Sequence, residues 1–300
     1  MPGKHSVRQS AVATTLETTK GWYLRHIVRS MLIATMVLAA VTPSVAQHLP
    51  SVASINLCAD QLVLSLAKPE QILTVSWLAA DPEESMLAGE AAKFPLNYGS
   101  AEELLRYQPD VVIAGAYTGS FTRALLARLG FTVVEIAPET TIAEIEDNLR
   151  LVARAIGQPA RGEALVDDIR ARTRHAYAHQ PRRPIAAVVV RPGGFTVGAG
   201  SLAHELMTLA GLRNVAAEQG LDRWGSLSME TLLRSAPELI IVTGYHSRHA
   251  SLANVVLQHP ALTRLRSQVR SVTVPAPYWA CGLPQSLHSA ALLQGVATPR

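Results

Sequence analysis

The chain has 300 residues, 48% of them apolar and 17% charged, a balance that excludes a disordered polymer. Its formal charge of +4 comes from 27 basic and 23 acidic residues, but five of the bases and one of the acids precede Ala46. The 254 residues that follow carry 22 of each sign, so the concentrated basic excess that nucleic-acid binding needs is missing.

Residues 1–46 are expected to be an export signal. Lys20, Arg25 and Arg29 precede the apolar run 31–41, after which come Pro43 and Ser44-Val45-Ala46. A positive start, about a dozen apolar residues and small residues two apart are the parts of a cleavable secretory signal. The run is shorter than the roughly 20 residues that span a bilayer. A soluble exported chain, processed near Ala46, is the expectation. In an oxidising compartment the two cysteines, Cys58 and Cys281, favour a disulfide. Free structural thiols, or thiols that touch a bound metal, are the alternatives.

Strands are expected at 52–57, 72–76, 111–115, 132–136, 185–190, 239–243 and 271–274. Helical patterns lie between them at 121–129, 203–210 and 285–293. Runs such as Val111-Val112-Ile113-Ala114 and Leu239-Ile240-Ile241-Val242 suit strands buried on both faces, and their alternation with helices argues for parallel sheets. The middle of the chain is different. Ile142, Ile145, Leu149, Val152 and Ile156 share one helical face, Gly157-Gln158-Pro159 ends that helix, and a second helix runs over 160–178. The expected organisation is a first α/β lobe at 47–157, a connecting helix at 158–181 and a second lobe at 182–300.

A repeat supports two similar lobes. Ser100 to Asp110 runs into Val111-Val112-Ile113, and Ser228 to Glu238 runs into Leu239-Ile240-Ile241, with seven identities at an offset of 128. Each copy reads as an N-capped helix, a turn at proline and a buried strand.

Signals for catalysis fail. No phosphate loop occurs, the glycines 193, 194, 198 and 200 do not form a dinucleotide fingerprint, and His204-Glu205 lacks a second histidine. His246, His249 and His288 leave open an exported metal-ion carrier or an enzyme with a histidine-containing cleft. What stands out is a set of side chains just past strand ends, where open parallel sheets bind ligands. Asn56 and Cys58 follow the first strand, Trp77 the second, Tyr117 the strand at 111–115, Tyr245 that at 239–243, and Trp279 the last. Trp224 precedes the second repeat. Large flat side chains of this kind suit a large, partly apolar ligand. Arg191, Arg223 and Arg248 suit an anionic one.

In this order along an exported chain, these residues resemble the periplasmic substrate-binding proteins of ABC importers for cobalamin, iron–siderophores and haem. The resemblance covers about 51–293. It is carried by Val52-Ala53-Ser54-Ile55-Asn56-Leu57-Cys58-Ala59-Asp60-Gln61, by both repeats, by Val255-Val256-Leu257-Gln258-His259-Pro260-Ala261-Leu262 and by Val274-Pro275-Ala276-Pro277-Tyr278-Trp279. It implies two α/β lobes joined by a single long backbone helix, a ligand cleft between them, and modest lobe motion on binding. It also implies that Trp224 and Trp279 line the cleft, and that Glu102 and Glu230 dock on arginines of an inner-membrane permease served by its own ATPase. The cargo implied is a small-molecule metal chelate, carried by a monomer with no cofactor and no metal site of its own.

Overall fold

The computed structural model describes residues 48–243 and 252–297. The export signal, Tyr245, His246, Arg248 and His249 lie outside the described residues.

Five strands form the first sheet: β1 (Val52–Ser54), β2 (Ile72–Ser76), β3 (Leu96–Asn97), β4 (Val111–Gly115) and β5 (Thr132–Ile136). They pair in the order β3-β2-β1-β4-β5, all parallel. Beyond the connecting helices come β6 (Ile185–Val190), β7 (Phe195–Val197), β8 (Leu212–Asn214), β9 (Trp224–Ser226), β10 (Leu239–Val242) and β11 (Arg270–Thr273). The second sheet is parallel in the order β11-β10-β6-β8, while β7 and β9 form an antiparallel ribbon. Each sheet thus places its first strand beside the strand of the repeat, with β1-β4-β5 in one lobe answered by β6-β10-β11 in the other.

The repeat is real in the backbone. Ser100 Oγ accepts from the Glu103 amide and Ser228 Oγ from the Thr231 amide, so both short helices are capped alike. Gln108 (φ 47°) and Ala236 (φ 44°) are the only non-glycine residues with positive φ among the described residues. They stand at the same repeat offset, each just before the proline that opens the turn into β4 or β10.

Alternation along the strands divides the core. Val111 and Ile113 face one side of the first sheet and Val112 and Ala114 the other, and in the second sheet Leu239 and Ile241 oppose Ile240 and Val242. The inner faces of both sheets belong to one continuous core. Between them run the helices Ile142–Ala155 and Pro159–Ala178, which supply Ile145, Leu149, Val152, Val166 and Ile169. Where these helices cross, a Cβ on Gly162 would stand 2.5 Å from the Ala153 methyl, so the close approach depends on glycine. The long helix begins on Pro159, whose missing N–H costs nothing in a first turn.

The structure also revises some expectations. Leu57 does not end a strand but starts the helix Leu57–Leu66, because the Asn56 side chain accepts from the Ala59 amide and caps it. Cys58 is therefore helical. Trp224 lies on β9 rather than in a loop, and Trp279 lies on the short helix Pro277–Ala280, which Pro277 opens.

Candidate functional site

The carboxyl edge of the first sheet presents a row of side chains in strand order: Tyr98 after β3, Trp77 after β2, Asn56 after β1 and Tyr117 after β4. At about 4.8 Å per strand the row extends roughly 15 Å. Trp77 and Tyr98 stand with ring centroids 6.4 Å apart and planes tilted by 35°. Tyr98 is 78% and Tyr117 83% exposed, and Phe121, at the start of the helix Ser120–Arg128, is exposed too. Such large rings left in water suit a contact surface better than a core.

Two polar groups hold this wall. Asn56, besides capping its helix, donates from Nδ2 to Thr118 Oγ1 at 3.1 Å, and Thr118 Oγ1 also accepts from the Gly115 amide at 3.2 Å. The Asn56 amide is thus used to position the loop that carries Tyr117. Gly115 makes room for it, since a Cβ there would lie 2.5 Å from Asn56 Nδ2. Beneath the wall, fully buried Asp60 accepts from Ser54 Oγ at 2.5 Å, from the Ser76 amide at 2.9 Å and from Ser76 Oγ. It ties the ends of β1 and β2 together and fixes where Trp77 leaves the sheet. Burial raises its pKa to about 6 against the opposing pull of those hydrogen bonds.

The second lobe contributes Arg191 after β6, Phe195 on β7, Trp224 on β9 and Trp279 beyond β11. Trp224 is 64% exposed and lies under the Arg191 guanidinium, 5.7 Å from the ring centroid. Trp279 is part anchor, part wall: its Nε1 donates to Thr243 Oγ1 at 2.9 Å, and its ring packs on the shared core.

Cys58 and Cys281 form a disulfide with an S–S distance of 2.08 Å. It crosses from the first lobe to the second, two residues from Asn56 and two from Trp279. Ligation of a metal by a free thiol is thereby corrected, because neither sulfur is free. Beside it a Cβ on Gly282 would sit 2.5 Å from Ile145 Cγ1, which marks a tightly packed seam. Glu139 lies in that seam and accepts from Asn148 Nδ2 at 2.8 Å, and burial lifts its pKa above the usual carboxylate range.

Glu102 and Glu230 are exposed, each in the first turn of its capped helix, four residues from Tyr98 and six from Trp224. Glu230 is paired with Arg234. His288 Nε2 lies 3.0 Å from Arg172 Nη1, with its ring edge-on to Tyr278. No cluster of three or more His, Cys, Asp or Glu side chains is placed to hold a metal among the described residues, and no helix among them is long and apolar enough to cross a membrane. Sequence reading missed Tyr98, Phe121, Phe195 and the role of Asp60. Position after a strand end would have flagged Tyr98 had the two-residue β3 been legible.

Two parallel-sheet lobes, with exposed aromatic residues at the carboxyl edge of the first and on the ribbon of the second, define a two-lobed ligand-binding protein. Residues 52–267 match the family model described as periplasmic binding protein, and the chain belongs to that family. A vitamin B12-binding protein of Salmonella typhimurium is 29% identical over 148 residues, 48% of this chain and 54% of that protein. The match therefore spans about half the relative's length. A vitamin B12-binding protein of Pectobacterium carotovorum is 26% identical over 203 residues, 65% of this chain and 71% of the relative. Among solved structures, the periplasmic haem-binding protein HutB of Vibrio cholerae superposes with a TM-score of 0.71 at 18% identity, covering 83% of this chain and 99% of that one. The vitamin B12-binding protein BtuF of Vibrio cholerae gives 0.63 at 19%, covering 83% and 96%. At these identities the structural likeness shows the fold. The relatives are named as binding proteins and not as enzymes, in keeping with the sequence reading against catalysis.

Proposed function

We propose that the chain, processed near Ala46, captures a metal chelate in the periplasm as a monomer and delivers it to an inner-membrane ABC permease driven by a separate ATPase. The chelate is a corrinoid, a ferric siderophore or haem, and its cobalt or iron belongs to the cargo rather than to a resident cofactor. The observation that carries this reading is the pair of aromatic walls: Tyr98, Trp77 and Tyr117 on one lobe, Trp224 and Trp279 on the other, with the Cys58–Cys281 bond joining the lobes close to Asn56 and Trp279. Flat apolar surfaces of this kind suit a macrocycle or an aromatic chelate. Glu102 and Glu230, at matching places on the two lobes, are the docking points for the permease. Among the described residues nothing favours the histidine-based carrier or enzyme, because His288 is engaged by Arg172 and Tyr278; His246 and His249 lie outside them.

Tryptophan fluorescence of the processed chain, titrated with cobalamin, cobinamide, haem and ferric siderophores under inner-filter correction, tests the reading. Saturable binding of one class, weakened at least tenfold in Trp224→Ala, supports it. Trp224 is the better probe than Trp279, whose loss also removes a core contact. A flat response to the whole panel removes these cargoes.

A further inference from the structure

The turn at the carboxyl end of β6 carries a cation that has no carboxylate at ion-pair distance among the described residues. Arg191 follows Val190, the last residue of a strand buried along its whole length, and β6 lies between β10 and β8. The guanidinium therefore stands near the middle of the second sheet's edge. Gly193 and Gly194, with φ of 75° and 76°, turn the chain so that the Arg191 amide donates to Phe195 O at 2.9 Å, and β7 begins.

The ribbon then sorts its side chains. Val197 pairs with Trp224, Thr196 with Gly225 and Phe195 with Ser226. With a period of two, Phe195 and Trp224 share one face, and Thr196, which is buried, takes the other. The guanidinium lies over the indole, 5.7 Å from the ring centroid, an attraction that keeps the cation beside the ribbon.

Most described arginines without a carboxylate partner are exposed, and the part-buried Arg266 and Arg270 donate to Ser271 Oγ and Val296 O, whereas several others answer a carboxylate directly. Arg150, Arg170, Arg172, Arg183, Arg213 and Arg234 each have one within 4 Å. Arg191 makes no such pair among the described residues, although it is half-buried. The acid it senses is Glu84, which belongs to the first lobe and acts through space. Burial pulls its pKa below the usual guanidinium value.

We infer that Arg191, held on Trp224, is a subsite for a carboxylate of the cargo, so that the chelate carried is an anion with a flat apolar body. The planar fork of a guanidinium takes a carboxylate in a two-point grip, and next to an aromatic platform this reads a ring that bears an acidic arm. The inference rests on the cargo reading above and narrows it.

The test compares ferric haem, its dimethyl ester and cobalamin on the processed chain and on Arg191→Gln and Arg191→Lys. The ester keeps the ring and blocks both carboxylates, and cobalamin has no free carboxylate. The expected result is haem bound at least tenfold more tightly than its ester by the unmodified chain. That preference should be lost in Arg191→Gln through weaker haem binding alone, and partly restored in Arg191→Lys. Thermal melts of all three proteins check the fold. An unchanged preference in Arg191→Gln, or equal binding of haem and ester by the unmodified chain, overturns the inference. Binding of cobalamin alone also overturns it, while leaving the transport reading in place. Failure of all three probes overturns the inference, because no flat ring with an acidic arm is then held, and leaves the transport reading to the siderophores of the wider panel.

Discussion

Cys58 and Cys281 stand 223 positions apart in the chain, yet their Cα atoms lie 5.2 Å apart, and the bond between them joins the first lobe to the second. The helix Pro159–Ala178 links the lobes through the backbone, and the disulfide adds a second covalent crossing close to Trp279. Two crossings and a shared core leave the lobes little freedom to part.

Loss of that bond is expected to lower stability without abolishing the fold. Closing a loop of this length in the unfolded chain is worth up to about 5 kcal/mol, with native strain reducing the figure. The shared core remains in its absence. A Cys58→Ala/Cys281→Ala variant should melt several degrees lower, and a reductant should bring the unmodified chain to the same melting temperature. Equal melting of oxidised and reduced protein would mean that the bond does not constrain the chain.

Asn56 and Gly115 form a second dependent pair. A methyl at position 115 would strike the Asn56 amide, which caps the Leu57–Leu66 helix and holds Thr118. Gly115→Ala and Asn56→Ala are each expected to cost about 1–2 kcal/mol, the usual worth of a cap with its bonds. Their double variant should lose clearly less than the sum, because the clash needs the amide. Denaturant unfolding of all four proteins measures the coupling, and additive losses would refute it.

Much of this architecture was legible along the chain. β4 and β10 read as strands because their apolar runs are continuous, and the helix Ile142–Ala155 read as a helix because its apolar residues keep one face. The repeat was visible as identities before Gln108 and Ala236 gave it a backbone signature. The second wall was legible only in part. A three-residue strand such as Trp224–Ser226 has too little periodicity to announce itself, and its pairing with Phe195–Val197 joins segments 29 residues apart at their hydrogen-bonded centres, Thr196 and Gly225. The stacking of Arg191 on Trp224 and the bond from Trp279 to Thr243 depend on that folding. Asp60 read as one polar residue among many, because its three hydrogen bonds come from Ser54 and Ser76, at the ends of two strands.

Asp60 makes stability depend on pH in a definite direction. Its folded pKa of about 6 lies above the ordinary 3.8, so the folded chain holds this proton more tightly than the unfolded one. Its contribution is fully present below pH 3.8 and is lost as pH rises through about 6, a change of about 3 kcal/mol at 1.36 kcal/mol per unit. Glu139, also raised, acts in the same sense. Glu238 acts oppositely: its pair with Arg183 holds it down at about 2, so that stabilisation is lost as pH falls from 4.5 towards 2. Melting temperatures of the unmodified chain and of Asp60→Asn across pH 3–8 separate these effects. Asp60→Asn should flatten the decline between pH 4 and 6 and leave the acid limb intact. An identical profile in both proteins would exclude Asp60 as its source.

The docking reading of Glu102 and Glu230 predicts a separation between capture and delivery. Both carboxylates are exposed, so an isolated ion pair at either is worth little, and on that reading the pair would set the orientation of the two lobes on the permease. The double charge reversal Glu102→Lys/Glu230→Lys should leave cargo affinity within about twofold, since neither residue belongs to the aromatic walls, yet cut uptake into vesicles that hold the permease and its ATPase by at least tenfold. The single reversals should differ. Glu230 already shares its charge with Arg234, four residues on, whereas no ion pair among the described residues involves Glu102. Glu102→Lys should therefore impair uptake more than Glu230→Lys, and Arg234→Ala should raise uptake at low salt. Unimpaired uptake in the double variant would rule out both residues as docking points, and impaired cargo binding would move them into the cleft.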